Sequence, residues 1–262
     1  MIIRTGAVPP EYKNRIEDLS WKINREGIEK ANLMILDLLA TNNWKRPVYF
    51  VVTTGQETYL GLEKYFHQEG LAYRLLPVRA NAPEGEPGDV NTSVMYDNLM
   101  NKFTFGGMNN PRVYLDENNI RMVMNLRSIY ARLANALILE GKKDSAKKVI
   151  SRCLSEMPDN TIPFDYFVVS LAEGYYKTGE VGKANKLAEK LIRNSVDELA
   201  YYFSFSDDDF KDMETQMQES LFTLQRTGVI TKMANQEILA NSAEENLNKY
   251  YELYVNKVYR PD

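Results

Sequence analysis

The chain has 262 residues, 44% hydrophobic and 26% charged, with a formal net charge of −4. That balance supports a packed core, and the lack of an overall basic field argues against a nucleic-acid partner. A single cysteine, Cys153, and a single histidine, His67, leave no internal disulfide and no zinc site of the usual ligand sets, so no metal and no cofactor is expected.

Residues 1–10 lack the basic stretch and long apolar run of a signal peptide. No apolar run anywhere approaches the roughly 20 residues that span a bilayer. The chain therefore reads as soluble, whether whole or a soluble piece of something larger. Residues 11–40 place Ile16, Leu19, Ile23, Ile28, Leu33, Ile35, Leu36 and Leu39 at helical spacing, with Gly27 weakening the middle and Asn42-Asn43 ending it. Arg46 to Thr53 is a β-branched and aromatic run headed by Pro47, the grammar of a buried strand. Gln56 to Glu69 reads as a short amphipathic helix closed by Gly70, and Leu71 to Val78 as a second strand. Strand, helix and strand in this order predict a βαβ unit with a parallel pair.

Asn81 to Asp89, rich in proline, glycine and acids, reads as an exposed loop, and Val94 to Met100 as a short helix. From Arg121 onward the pattern is helical. Two hairpins repeat 38 residues apart, aligning Leu133 with Leu171, Ala134 with Ala172, Gly141 with Gly179 and Ala146 with Ala184. Small residues let paired helices approach, and the glycines turn the chain between them. The spacing matches the tetratricopeptide pattern, whose period is about 34 residues. The extra residues fall at Asn160-Thr161-Ile162-Pro163. A third, fainter hairpin from about Asp207 to Tyr259 places Met217, Leu224 and Gly228 at equivalent offsets and would cap the stack. The predicted fold class is α+β, mostly α. A small α/β domain occupies 1–80, a linker and irregular segment 81–120, and a tetratricopeptide-like helical repeat domain 121–262.

No catalytic motif is present. His67 beside Gln68 and Glu69 reads as a solvated helix residue rather than a base. Asp207-Asp208-Asp209 reads as helix-capping acids rather than a metal cluster. Asn91-Thr92-Ser93 fits the N-glycosylation sequon. Tyr201 to Phe205 is either a stacking platform or, on the better reading, an apolar plug between the second and third hairpins. The inner face of the repeats offers Asn135, Tyr166, Glu173, Tyr176 and Lys177 as binding candidates, with a solvated face as the alternative.

Asn42 to Phe50, Tyr59-Leu60-Gly61-Leu62 and Glu69 to Val78, together with Met95-Tyr96-Asp97-Asn98-Leu99 downstream, form a set. They resemble the C-terminal soluble region of the bacterial domain-of-unknown-function 2723 family, membrane proteins similar to protein O-mannosyltransferases. The resemblance covers nearly the whole chain. It implies a non-catalytic accessory domain on the extracytoplasmic, periplasmic side of the inner membrane, behind a multi-helix membrane region that uses a lipid-linked sugar. That membrane region is absent here, so no catalytic residue carries over, and membrane attachment would come only through the missing upstream part. The implied partner is a protein or peptide, including a glycosylation acceptor. The alternatives are a free-standing tetratricopeptide adaptor for protein–protein interaction and, with no motif to support it, an enzyme in its own right.

Overall fold

A computed structural model describes residues 3–82, 85–206, 210 and 212–258. The fold is α+β and mostly α, with a four-stranded sheet near the N-terminus followed by a stack of helices. It divides into two compact units, residues 1–103 and 104–262. No helix among the described residues is long and apolar enough to cross a membrane.

In the first unit the sheet runs in the order β1-β3-β2-β4, with β1 at Val48–Val51, β2 at Phe66–Gln68, β3 at Ala72–Leu75 and β4 at Asp89–Val90. The two strands expected to lie parallel, β1 and β3, are antiparallel neighbours, pairing Val48 with Leu75 and Val51 with Ala72. Among the described residues only β2 and β4 pair in parallel. The reason lies in the segment between β1 and β3. It is not one helix but two short 3₁₀ turns, Gln56–Thr58 and Glu63–Tyr65, followed directly by β2. Leu60 and Gly61 both take positive φ, which breaks any continuous helix there. Gly70, also at positive φ, turns β2 back into β3, and the Glu69 amide closes that turn on the Ala72 carbonyl.

The long N-terminal helix is likewise shorter than its periodicity predicts. A 3₁₀ turn covers Pro10–Arg15, and the helix α1 covers only Lys30–Asn42. Between them Leu19, Trp21 and Ile23 are half-buried while Ser20, Lys22 and Asn24 are exposed, the two-residue alternation of extended chain. This extended piece is held by the Tyr65 hydroxyl, which donates to the Ser20 carbonyl at 3.0 Å and accepts from its amide at 3.1 Å. Leu19 and Trp21 pack on the core of Phe50, Tyr59, Leu62, Tyr65, Phe66, Tyr73 and Leu75. After β4 comes α2, Thr92–Asp97, capped by the Asn91 side chain, which accepts from the Val94 amide. Asn91 is buried in that role, which removes it as an accessible glycosylation acceptor.

Among the described residues the second unit holds three helical hairpins. They pair α3 (Glu117–Leu139) with α4 (Lys143–Glu156), α5 (Tyr166–Lys177) with α6 (Val181–Tyr202), and α7 (Glu214–Met233) with α8 (Glu237–Val258). The first helices neighbour one another, α3 beside α5 and α5 beside α7. Leu133, Ala134, Ala146, Leu171, Ala172 and Ala184 are all buried, as the repeat requires. Gly141 and Gly179 take left-handed φ of 76° and 84°, and the next amides, Lys142 and Glu180, reach back to Leu137 and Tyr175. This is the six-to-one closure of a helix end.

In the third hairpin that role falls to Asn235 (φ 57°), whose successor Gln236 bonds to the Thr231 carbonyl. Gly228, expected at the turn, instead sits inside α7, where an added methyl would lie 3.4 Å from the Ala243 Cβ. Its function is close packing of α7 on α8. Cys153 is a buried apolar residue of α4, and burial pushes its thiol well up. Tyr202 and Phe203 pack on the cluster of Leu199, Phe210, Met217 and Tyr250, so the aromatic run serves largely as the plug. The acidic run at 207–209 lies outside the described residues.

Candidate functional site

The site in the second unit starts with one fully buried arginine. Arg127, on α3, donates from Nη1 to the Pro163 carbonyl at 2.8 Å and to the Asp165 carboxylate at 2.7 Å. From Nη2 it donates to the carbonyls of Ile162 at 2.8 Å and Met157 at 3.1 Å. Phe164 lies over its guanidinium, 5.3 Å away. A buried charge is tolerated only when it is paired and hydrogen-bonded, and here it is both. Asp165 also caps α5 by accepting from the Phe167 amide at 2.8 Å.

From the other side Asp159 gathers the Phe164 amide at 2.9 Å, the Lys190 ammonium at 2.7 Å and the Asn194 amide group at 2.9 Å. Burial alone would raise this carboxyl. The donated bonds and the Lys190 charge outweigh burial and hold it below the usual carboxylate range. The connection between the first two hairpins is thus fixed from α3 and from α6.

That fixed connection forms one wall of a cleft of about 910 Å³. Ile120 and Met124 of α3 and the stretch 162–167 line one side, Ser195, Glu198 and Tyr202 of α6 line a second, and residues of α7 from Thr215 to Thr223 line the third. Tyr166 and Phe222 meet across it with ring centroids 5.0 Å apart, and each remains more than a third exposed. Glu198 accepts a 2.7 Å bond from the Ser220 hydroxyl. Burial is the main cause that raises its carboxyl, and the charges of Asp165, Glu219 and Asp197 act in the same direction. Ser195 is only 3% exposed.

The placement of these residues follows from where the repeat breaks. Helix α4 has 14 residues and α6 has 22. Shifted by 38 positions, the end of α4 corresponds to Asn194, so Ser195, Glu198 and Tyr202 all lie on turns that the first hairpin lacks.

The five candidates read from sequence are not one cluster. Tyr166 lines the cleft. Glu173 pairs with Lys177 at 2.8 Å and approaches Arg226 of α7 at 3.9 Å. The Tyr176 hydroxyl donates to Asn185 at 2.7 Å, and Asn135 keeps a buried side-chain oxygen with no hydrogen-bond partner on α3. Arg127, Glu198 and Phe222 were not singled out in the sequence. The only signal for the last two was the departure of the second and third hairpins from the repeat.

In the first unit His67 corrects the solvated-helix reading. It is fully buried on β2, with Nε2 3.0 Å from the Val78 carbonyl, Nδ1 2.5 Å from Asp89 Oδ1, and the Tyr12 ring 5.0 Å away. Asp89 is its cross-strand partner in the β2–β4 register. With Nε2 at the Val78 carbonyl and Nδ1 against the Asp89 carboxylate, the imidazole bridges β2 to β4 and to the segment after β3. Beside it Glu69 receives Tyr49 at 3.1 Å and Arg74 at 3.4 Å, and Arg74 also donates to the Ala7 carbonyl at 3.0 Å. These contacts fasten the N-terminal segment over one face of the sheet.

No curated protein and no solved structure is similar to the chain. Residues 1–94 match the model of a family described as TMEM260-associated domain 2, which relates to O-mannosyltransferase-like membrane proteins. The matched residues include the motif set at 42–78 and the whole four-stranded sheet, and they end before the helical hairpins that carry the cleft.

Proposed function

We propose that this chain is a non-catalytic, extracytoplasmic part of a membrane glycosyltransferase-like protein of the domain-of-unknown-function 2723 type. In this reading the tetratricopeptide-like hairpins hold a polypeptide segment, the acceptor or a partner, near the membrane-embedded site. The observation that carries the reading is the cleft of about 910 Å³ among α3, α5, α6 and α7, with the Tyr166 and Phe222 rings in its lining. The match over residues 1–94 supports the connection to O-mannosyltransferase-like membrane proteins. A free-standing adaptor would use the same cleft, and the match is what favours the membrane-linked reading.

Deleting residues 104–262 from the membrane protein should abolish sugar transfer to polypeptide while leaving binding of the lipid-linked sugar intact. Undiminished transfer without that region contradicts the proposal. A reporter active only outside the cytoplasm, fused to the C-terminus, should be active if the placement is right and silent if it is not.

A further inference from the structure

The lining of the cleft is one-sided in charge. Asp165, Glu198 and Glu219 line it, and no lysine, arginine or histidine does. Asp165 is already satisfied by Arg127. Glu198 and Glu219 have no ion-pair partner among the described residues, and Glu198 is largely withdrawn from water. A partly buried carboxylate with like charges around it and no cation is costly for the fold alone, and an incoming cation relieves that cost. Tyr166 and Phe222 add two partly exposed aromatic rings to the same lining, and an aromatic ring attracts a cation through its quadrupole. Independently of the acids, buried Ser195 lines the cleft with a hydroxyl that makes no hydrogen bond among the described residues. It is a buried polar group of the wall that is still able to pair with a ligand.

We infer that the cleft takes a basic side chain, arginine or lysine, of a bound polypeptide, with the cation seated between the Tyr166 and Phe222 rings and the Glu198 carboxylate. This rests on the polypeptide-holding reading above and specifies the segment it selects. Arginine suits the site best, because its planar guanidinium can stack on a ring and still offer donors to the carboxylate and to Ser195.

The test is fluorescence anisotropy with short fluorescein-labelled peptides, identical except for a central Arg, Met or Glu, titrated with the full chain at neutral pH. The Arg peptide should bind about tenfold or more tightly than the Met peptide, a factor in keeping with one ring contact and one charged hydrogen bond, and the Glu peptide should bind weakest. Glu198→Gln, Glu219→Gln and Phe222→Ala should each reduce the preference for Arg. Glu252→Gln, an exposed acid on α8 outside the cleft, should leave it unchanged. Glu219 and Phe222 are exposed, so their variants keep the test valid if Glu198→Gln perturbs folding. Equal affinity for the Arg and Met peptides overturns the charge selection and leaves the polypeptide reading standing. Failure of every peptide to bind overturns both.

Discussion

At neutral pH the Glu198 carboxylate works against the fold that carries it. Its folded-state pKa is raised, first by burial, so the folded state holds the proton more tightly than the unfolded chain does. The resulting penalty is absent below the unfolded value of about 4.3 and complete once pH exceeds the folded one. Glu198→Gln, which can still accept from Ser220, should therefore raise the urea midpoint at neutral pH and give no gain below about pH 4. Asp159 has the opposite sign. Its folded pKa is depressed, so its contribution is present above the unfolded value of about 3.9 and lost as pH falls through the folded one. Asp159→Asn should be less stable than the native chain at neutral pH, with the difference closing under acid. Parallel pH–stability curves for native and variant would contradict either assignment.

Neither Glu198 nor Asp159, nor the clamp residue Arg127, announced itself in the sequence. An arginine or a glutamate on a helix reads as a solvated residue. Arg127 is recognisable as a clamp only once the carbonyls it binds, 30 to 36 residues away, are brought to it. His67 misleads for the same reason. Its neighbours Gln68 and Glu69 look like surface residues, yet cross-strand pairing with Arg74 and Asp89 buries the group in the sheet.

Among elements, the clamp and the turns make separable predictions. Arg127→Met leaves the Asp165 carboxylate and three carbonyls without their donor and should cost about 3–5 kcal/mol in denaturant unfolding. Amide exchange should rise first across residues 157–165. Gly141→Ala and Gly179→Ala place a Cβ in the left-handed region and should each cost about 1–2 kcal/mol. In the first unit Gly88 has positive φ, and an added Cβ there would overlap the Phe66 carbonyl. Gly88→Ala should displace β4 and cost about 3 kcal/mol or more, since backbone strain and a backbone clash coincide. Near-native stability of that variant would mean that Gly88 does not approach the Phe66 backbone this closely.

The hairpins were legible because apolar positions recurring at helical spacing, twice over, have one economical solution. The N-terminal segment was not, because Ile16, Leu19 and Ile23 satisfy a helical stripe while Leu19, Trp21 and Ile23 also satisfy a two-residue alternation. The side-chain bonds of Tyr65 to the Ser20 backbone then hold the extended form.

At the scale of the molecule, the two units divide the argument. Residues 1–94 supply the likeness to a membrane-protein family, and the hairpins of the second unit supply the cleft. A perfectly regular pair of hairpins would not have built it. The inserted connection, through Ile162 and Pro163, and the added turns of α6, through Ser195, Glu198 and Tyr202, furnish two of its walls. The departures from the repeat, more than the repeat itself, are where function is expected.

The central claim is that this cleft holds polypeptide, and the most direct measurement is an amide chemical-shift titration of the full chain with the Arg-centred peptide. The account predicts shifts confined to the lining stretches, residues 162–167, 195–202 and 215–223, with the first unit unmoved. Shifts scattered over both units, or centred on the Tyr176–Asn185 face with the cleft silent, would contradict it.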